Sequence, residues 1–315
     1  MYTLKYRLIL TLFLFTAFFA ADVSAVSSNV GTSSFPFLKI NISARAVAMG
    51  GAFTGLADDE SALYYNPAGI ASFEQKRYIL GYHNYFYDMQ NGFVGIIKPA
   101  GNSNVYGLYI GYLNYGTFTE TEENTGNVLG DFSGGDLVFA FSFAHKKSHQ
   151  LSFGGTAKFI YEKIQDYSAT GAAVDLGIKY ISDRGKFGAG LTIQNLGAQL
   201  SALGEEKDKL PTAIRGGVSY KPKGLFMTLV SDVVLPFDND PYIALGTDYH
   251  KFKPLFLRLG WNSFGSNYRT AESEDSWAGL SFGAGFEFRN MQLSYSFSPE
   301  ADLGESHRIT ITGEL

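Results

Sequence analysis

From about residue 75 to the end, apolar and polar positions alternate. Met291, Leu293, Tyr295 and Phe297 interleave with Gln292, Ser294 and Ser296. Leu280, Phe282, Phe286 and Phe288 interleave with Ser281, Gly283, Gly285 and Glu287. The same rhythm runs through Leu137–Phe143, Leu151–Glu162 and Val174–Tyr180. A period of two belongs to an extended strand, whose successive side chains point to opposite faces. Fourteen such runs are predicted, at 75–87, 90–98, 103–115, 132–146, 149–165, 168–182, 185–196, 211–222, 224–235, 241–251, 254–262, 276–289, 290–299 and 305–315. Tight turns such as Lys147-Ser148 and Arg289-Asn290 alternate with longer polar loops at Thr117–Gly130, Gly197–Lys209 and Ser263–Ser276.

Alternation does not name the solvent, and a soluble β-sandwich reads the same way. Three features favour a membrane barrel. The strand number is even. The non-apolar positions are rich in Gly, Ser and Thr, which suits a crowded lumen. Aromatics such as Tyr82, Tyr85, Phe86, Tyr87, Tyr112 and Tyr115 gather near strand ends, as in an interfacial girdle. The fold class expected is all-β: a transmembrane antiparallel β-barrel of about 14 strands with a short helical N-terminal hatch.

The start of the chain reads as an export signal. Lys5 and Arg7 precede an apolar run from Leu8 to Phe19, too short to span a bilayer as a helix. Val23-Ser24-Ala25 then supplies small residues at a cleavage site, giving a signal peptide over 1–25. After it, no apolar run reaches the ~18–20 residues of a membrane helix, so a membrane location requires a closed barrel. There are no cysteines, which removes disulfides and thiolate metal sites. The formal charge of −5 gives no electrostatic basis for nucleic-acid binding.

Residues 26–72 differ in kind. Ser43 can cap a short helix that runs through Met49 and ends at Gly50-Gly51. Asp58 or Asp59 can cap a second one over Glu60–Tyr65, broken by Asn66-Pro67 because the residue before a proline avoids the α region. Ala68-Gly69 completes a tight turn. Helices this short need something to pack against, and the barrel lumen is available. The expected organisation is therefore signal 1–25, hatch 26–72 and barrel 73–315.

Ala44-Arg45-Ala46, Met49-Gly50-Gly51-Ala52-Phe53 and Ala57-Asp58-Asp59, followed by Ser61-Ala62-Leu63-Tyr64-Tyr65-Asn66-Pro67-Ala68-Gly69, resemble the N-terminal signature of PorV/PorQ-type proteins of the FadL-like superfamily. The resemblance covers about 25 residues. It implies a fourteen-stranded outer-membrane barrel with a hatch, in which Gly50, Gly51, Asp58, Asp59, Asn66, Pro67, Ala68 and Gly69 form the hatch motif. Such barrels commonly end in an aromatic residue, whereas this chain ends in Leu315.

Strand parity places Lys158, Glu162, Asp175, Lys179, Arg215, Asp232, Arg258, Glu287 and Arg308 on the inward face. On the lipid face an Arg or Lys near the midplane would cost about 2–4 kcal/mol. These charges either brace barrel and hatch or line a permeation path. Gly50-Gly51 with Gly55 lacks the Gly-Lys-Ser/Thr ending of a phosphate loop. His145 and His149 straddle a predicted turn and read as a solvated hairpin rather than a metal pair. No catalytic residues, cofactor or metal are expected.

Two functions follow. The PorV-like resemblance implies a secretion accessory or cargo-handling barrel, partnered by a translocon or an exported protein. The wider superfamily implies a hatch-gated transporter of hydrophobic or small substrates. Both place the chain in the bacterial outer membrane, in contact with its lipid.

Overall fold

A computed structural model describes residues 30–85, 87, 89–268, 277–300 and 304–315. The expected signal peptide lies outside them, as do Phe86 and the loop residues 269–276. The strands are β1 Arg77–Asn84, β2 Gln90–Ala100, β3 Asn104–Thr121, β4 Val128–Lys146, β5 Leu151–Ile164, β6 Tyr167–Ile181, β7 Phe187–Ser201, β8 Ala213–Tyr220, β9 Met227–Pro236, β10 Tyr242–Tyr249, β11 Leu255–Asn262, β12 Leu280–Phe288, β13 Met291–Pro299 and β14 Glu305–Glu314. Each pairs antiparallel with its sequence neighbours. β1 pairs with β14 from Arg77↔Glu314 to Asn84↔His307, which closes the barrel.

Closure leaves no sheet edge in the wall, the condition for a β structure in lipid. The outward set is apolar: Leu108 is 60% exposed, Leu176 52% and Phe141 48%. The inward set is buried and largely polar, with Asp175, Arg215, Asp232 and Arg258 all under 5% exposed. A wall that is wettable inside and greasy outside suits a bilayer rather than water.

Residues 34–72 fill the lumen. The chain makes a 3-10 turn at Pro36–Lys39, helix α1 at Ala44–Val47, helix α2 at Ala62–Tyr65 and a 3-10 helix at Pro67–Ser72, then enters β1. Ser43 caps α1 by accepting the Ala46 N–H, and Gly50 and Gly51 end it at φ 71° and 83°. Met49, Phe53, Leu63, Tyr65 and Ile70 are fully buried. They contribute to a hydrophobic core that also takes in Ile79, Ile97, Tyr109 and Ile160 of the wall.

Several sequence expectations are corrected. β3 and β4 continue to Thr121 and from Val128, so most of the expected loop Thr117–Gly130 is a paired hairpin. β7 likewise runs on to Ser201. Helix α2 starts at Ala62 rather than Glu60, because the Asp59 carboxylate accepts the Ser61 N–H in a turn that precedes it. Tyr115 joins no girdle: its hydroxyl donates to the Asp136 carboxylate at 2.7 Å. Glu287 keeps its parity but lies at the end of β12. It is exposed there and faces Lys253 at 3.8 Å, outside the lumen network.

Candidate functional site

The hatch is held by the inward charges. On β9 the Asp232 carboxylate accepts the N–H groups of Phe53 and Thr54 at 3.1 and 2.9 Å. On β8 Arg215 reaches that carboxylate at 3.4 Å and donates to the Gly51 carbonyl at 2.7 Å. One wall ion pair thus grips both sides of the Gly51–Thr54 turn. Lys179 of β6 donates to the Ala57 carbonyl, and Arg308 of β14 to that of Asn41 at 3.1 Å. Arg308 also faces Glu300 at 3.7 Å.

Within the hatch, Arg45 binds Asp58 at 2.7 Å and Asp59 at 2.9 Å, and it reaches across to Asp248 of β10 at 3.1 Å. Arg258 meets Asp248 from the other side at 3.3 Å. An unpaired charge buried here would cost several kcal/mol, so each cation fixes the position of its partner. Glu60, fully buried, pairs with Arg77 at the start of β1. Burial, reinforced by nearby Asp59, pushes the Glu60 carboxyl up to about 7 against the pull of Arg77.

The Asn-Pro turn is a second anchor. Asn66 donates to the Thr54 carbonyl at 3.0 Å and to that of Ile178 in the wall at 3.1 Å, while its side-chain oxygen accepts the Ala68 N–H. Pro67 starts the following 3-10 helix, and Gly69 N–H closes back on the Asn66 carbonyl at 2.9 Å. The wall is shaved to admit this backbone. A Cβ on Gly260 would lie 1.9 Å from the Gly50 nitrogen, and one on Gly246 would lie 2.5 Å from the Met49 carbonyl oxygen.

Three inward charges, Lys158, Asp175 and Glu162, are engaged within the wall instead. Lys158 binds Asp175 and the Asn195 side chain, both at 2.7 Å. Asn195 sits at φ 56°, where the β6–β7 register shifts between Val174 and Leu176. This buried trio pins a bulge in β7. Glu162 faces Asp136 across the β4–β5 ladder.

Above the hatch, toward the end with the longer loops, is a cavity of about 330 Å³. Leu38, Ile40 and Val47 of the hatch line it, with Val234, Pro236, Tyr242 and Phe264 from the wall side. Tyr64, Gln194, Asn195, Arg215 and Arg308 add polar groups. Lys39, Asp238 and Glu300 also border it, so apolar and charged groups share the lining, and a small, largely apolar molecule fits against the apolar part. Beside it the β7–β8 ladder stops at Gln194↔Ala213. Just beyond, Thr212 donates to the Asn195 carbonyl at 2.9 Å, and Asn195 donates to that of Pro211 at 3.2 Å.

Sequence reasoning missed Asp248, Arg45, Glu60, Arg77 and Asn195. It also passed over Gly279-Leu280-Ser281-Phe282-Gly283, which has the spacing of a nucleophile elbow. That spacing needs a strand-to-helix turn. Here Leu280–Phe288 is strand, and the Ser281 hydroxyl accepts the Gly50 N–H at 3.1 Å.

No family model matches the sequence, and neither does any curated protein. Solved structures do match in shape. The Pseudomonas putida toluene transporter TodX superposes with a TM-score of 0.59 at 12% identity, covering 86% of this chain and 97% of its own. The CymD monoaromatic hydrocarbon channel gives a TM-score of 0.60 at 13% identity, covering 90% and 99%. A Pseudomonas aeruginosa FadL homologue gives 0.53 at 13%, covering 92% and 98%. Likeness at this identity concerns architecture, and on it the chain has the closed fourteen-stranded antiparallel barrel fold of these FadL-type channel proteins.

Proposed function

We propose that this protein is a channel of the bacterial outer membrane that takes small, largely apolar molecules into the chamber above its hatch. The chamber itself carries the reading. The lumen is otherwise filled by residues 34–72, and the space left is of ligand size and lined in part by apolar groups. Structures of the same fold bear the names of a toluene transporter and a monoaromatic hydrocarbon channel, which supports a substrate of that kind. The apolar outer wall supports the location. The seam above Gln194↔Ala213, bridged by the Asn195 and Thr212 side chains, borders the chamber through Gln194, Asn195, Pro211 and Ala213.

The secretion-accessory reading draws on the N-terminal motif, and the chamber plays no part in it. Hydrocarbon entry therefore has the stronger support. The test is uptake of labelled toluene by cells whose own hydrocarbon channels are deleted, with and without this protein in the outer membrane. Faster uptake is expected. Unchanged uptake, with the folded barrel present at the cell surface, overturns the reading.

A further inference from the structure

The β3–β4 hairpin outgrows its neighbours. β2 stops pairing with β3 at Gln90↔Asn114, and β5 stops pairing with β4 at Gly134↔Ile164. β3 and β4 go on pairing with each other from Thr117↔Ser133 to Thr121↔Val128. On the β4 side the Gln165 N–H still reaches the Ser133 carbonyl at 3.0 Å. On the β3 side no strand among the described residues pairs with Gly116–Thr121. The arm therefore leaves the wall as a two-stranded ribbon with an open edge.

Its chemistry is one-sided. Glu120, Glu122, Glu123 and Asp131 are acidic, and no lysine or arginine occurs between Lys98 and Lys146. Phe118 stacks on Phe132 with ring centroids 5.4 Å apart. Phe118, Val128 and Leu129 are exposed at 44%, 69% and 61%. Soluble and surface proteins usually guard a free edge with lysine, proline or a covering loop. The β3 edge has no lysine or proline and carries Phe118 and Glu120, while Asp131, Val128 and Leu129 belong to the paired strand β4.

We infer that the β3–β4 arm is a docking strand for an extended, basic segment of another polypeptide, which adds to the open β3 edge. Main-chain hydrogen bonds from strand addition would supply affinity. Lysine or arginine beside Glu120 on the β3 edge, within the field of the acidic Glu122, Glu123 and Asp131 around it, would supply selectivity and encounter rate. Alternate apolar residues would cover the exposed Phe118, which stacks on Phe132. Lipopolysaccharide, being anionic, is the wrong sign for this arm. The inference is independent of the transport reading, because the arm lies away from the chamber.

The test uses the full chain in nanodiscs of zwitterionic lipid and a synthetic ten-residue peptide that alternates lysine and valine. Binding is expected at 0.15 M salt. It should weaken about tenfold in a variant with Glu120→Gln, Glu122→Gln, Glu123→Gln and Asp131→Asn, since each exposed pair contributes modestly and four acids are removed together. Replacing residues 117–131 with an Asn-Gly turn should abolish it, with barrel assembly checked by heat-modifiable mobility. A peptide of the same charge with two central prolines should fail to bind. The inference is overturned if no binding occurs, if either variant binds as well as the parent, or if the proline peptide binds equally. Arm-dependent binding of lipopolysaccharide vesicles with magnesium, in place of the peptide, also overturns it.

Discussion

Gly260→Ala should unseat the hatch. The added Cβ would lie 1.9 Å from the Gly50 nitrogen and 2.3 Å from the Met49 carbonyl carbon, both backbone atoms. Ordinary contact needs about 3.5 Å, so Met49–Gly50 must move by roughly 1.6 Å. No side-chain rotation can supply that room. Overpacking of this kind costs about 1–3 kcal/mol. The shift also breaks the 3.1 Å hydrogen bond from Gly50 to Ser281, worth about 1 kcal/mol net. A loss of about 2–4 kcal/mol raises the unseated population more than tenfold. Hydrogen exchange of the Met49–Thr54 amides reads this directly, and Gly216→Ala on the outward face is the control, its nearest neighbour being a Leu191 methyl at 3.9 Å. Equal exchange in Gly260→Ala and Gly216→Ala would refute the idea that the wall is shaved to seat the hatch.

Asp232→Ala removes the acceptor of the Phe53 and Thr54 N–H groups and leaves Arg215 buried without its carboxylate. Breaking a buried pair costs about 3–5 kcal/mol, so exchange at residues 51–55 should rise sharply, and Asp232→Glu should restore part of the protection. Glu60 makes seating depend on pH. Its carboxyl is raised to about 7 in the seated hatch, so the seated state binds the proton more tightly than the free chain. The stabilisation is fully present below about pH 4.5 and is lost as pH rises through 7, by about 3 kcal/mol at most. Exchange of residues 57–63, corrected for intrinsic rates, should show that slope, and Glu60→Gln should flatten it; an identical slope in both would remove Glu60 as the cause. Val234→Trp fills the chamber and should cut toluene uptake severalfold while the barrel still assembles, whereas full uptake would place the route elsewhere.

Much of the wall was legible because alternation is set locally. Each strand predicted from residue 75 onward is found in its expected order, with β3, β4 and β7 running further than read. Ser43, Gly50-Gly51 and Asn66-Pro67 act as local rules require, since caps and prolines work through their own backbone neighbours. Parity also found the inward set from Lys158 to Arg308, and would have found Asp248, two residues from Gly246 on the same face. It could not say what each charge holds. Arg45 and Asp248 are 203 positions apart, and nothing local joins them. Correct parity does not bury a residue at a strand end, where the inward side is already solvent, as at Glu287. The β3–β4 arm was read as loop because its Thr, Glu and Gly composition is that of a turn, while cross-strand pairing holds it as ribbon.

The central claim is that residues 34–72 close a lumen that is otherwise open. Single-channel recording in planar bilayers tests it with two proteins, the parent chain and one lacking residues 34–72. The parent should be silent or flicker briefly, and the shortened barrel should show long, stable conductance steps. Equal conductance from the two would contradict the account.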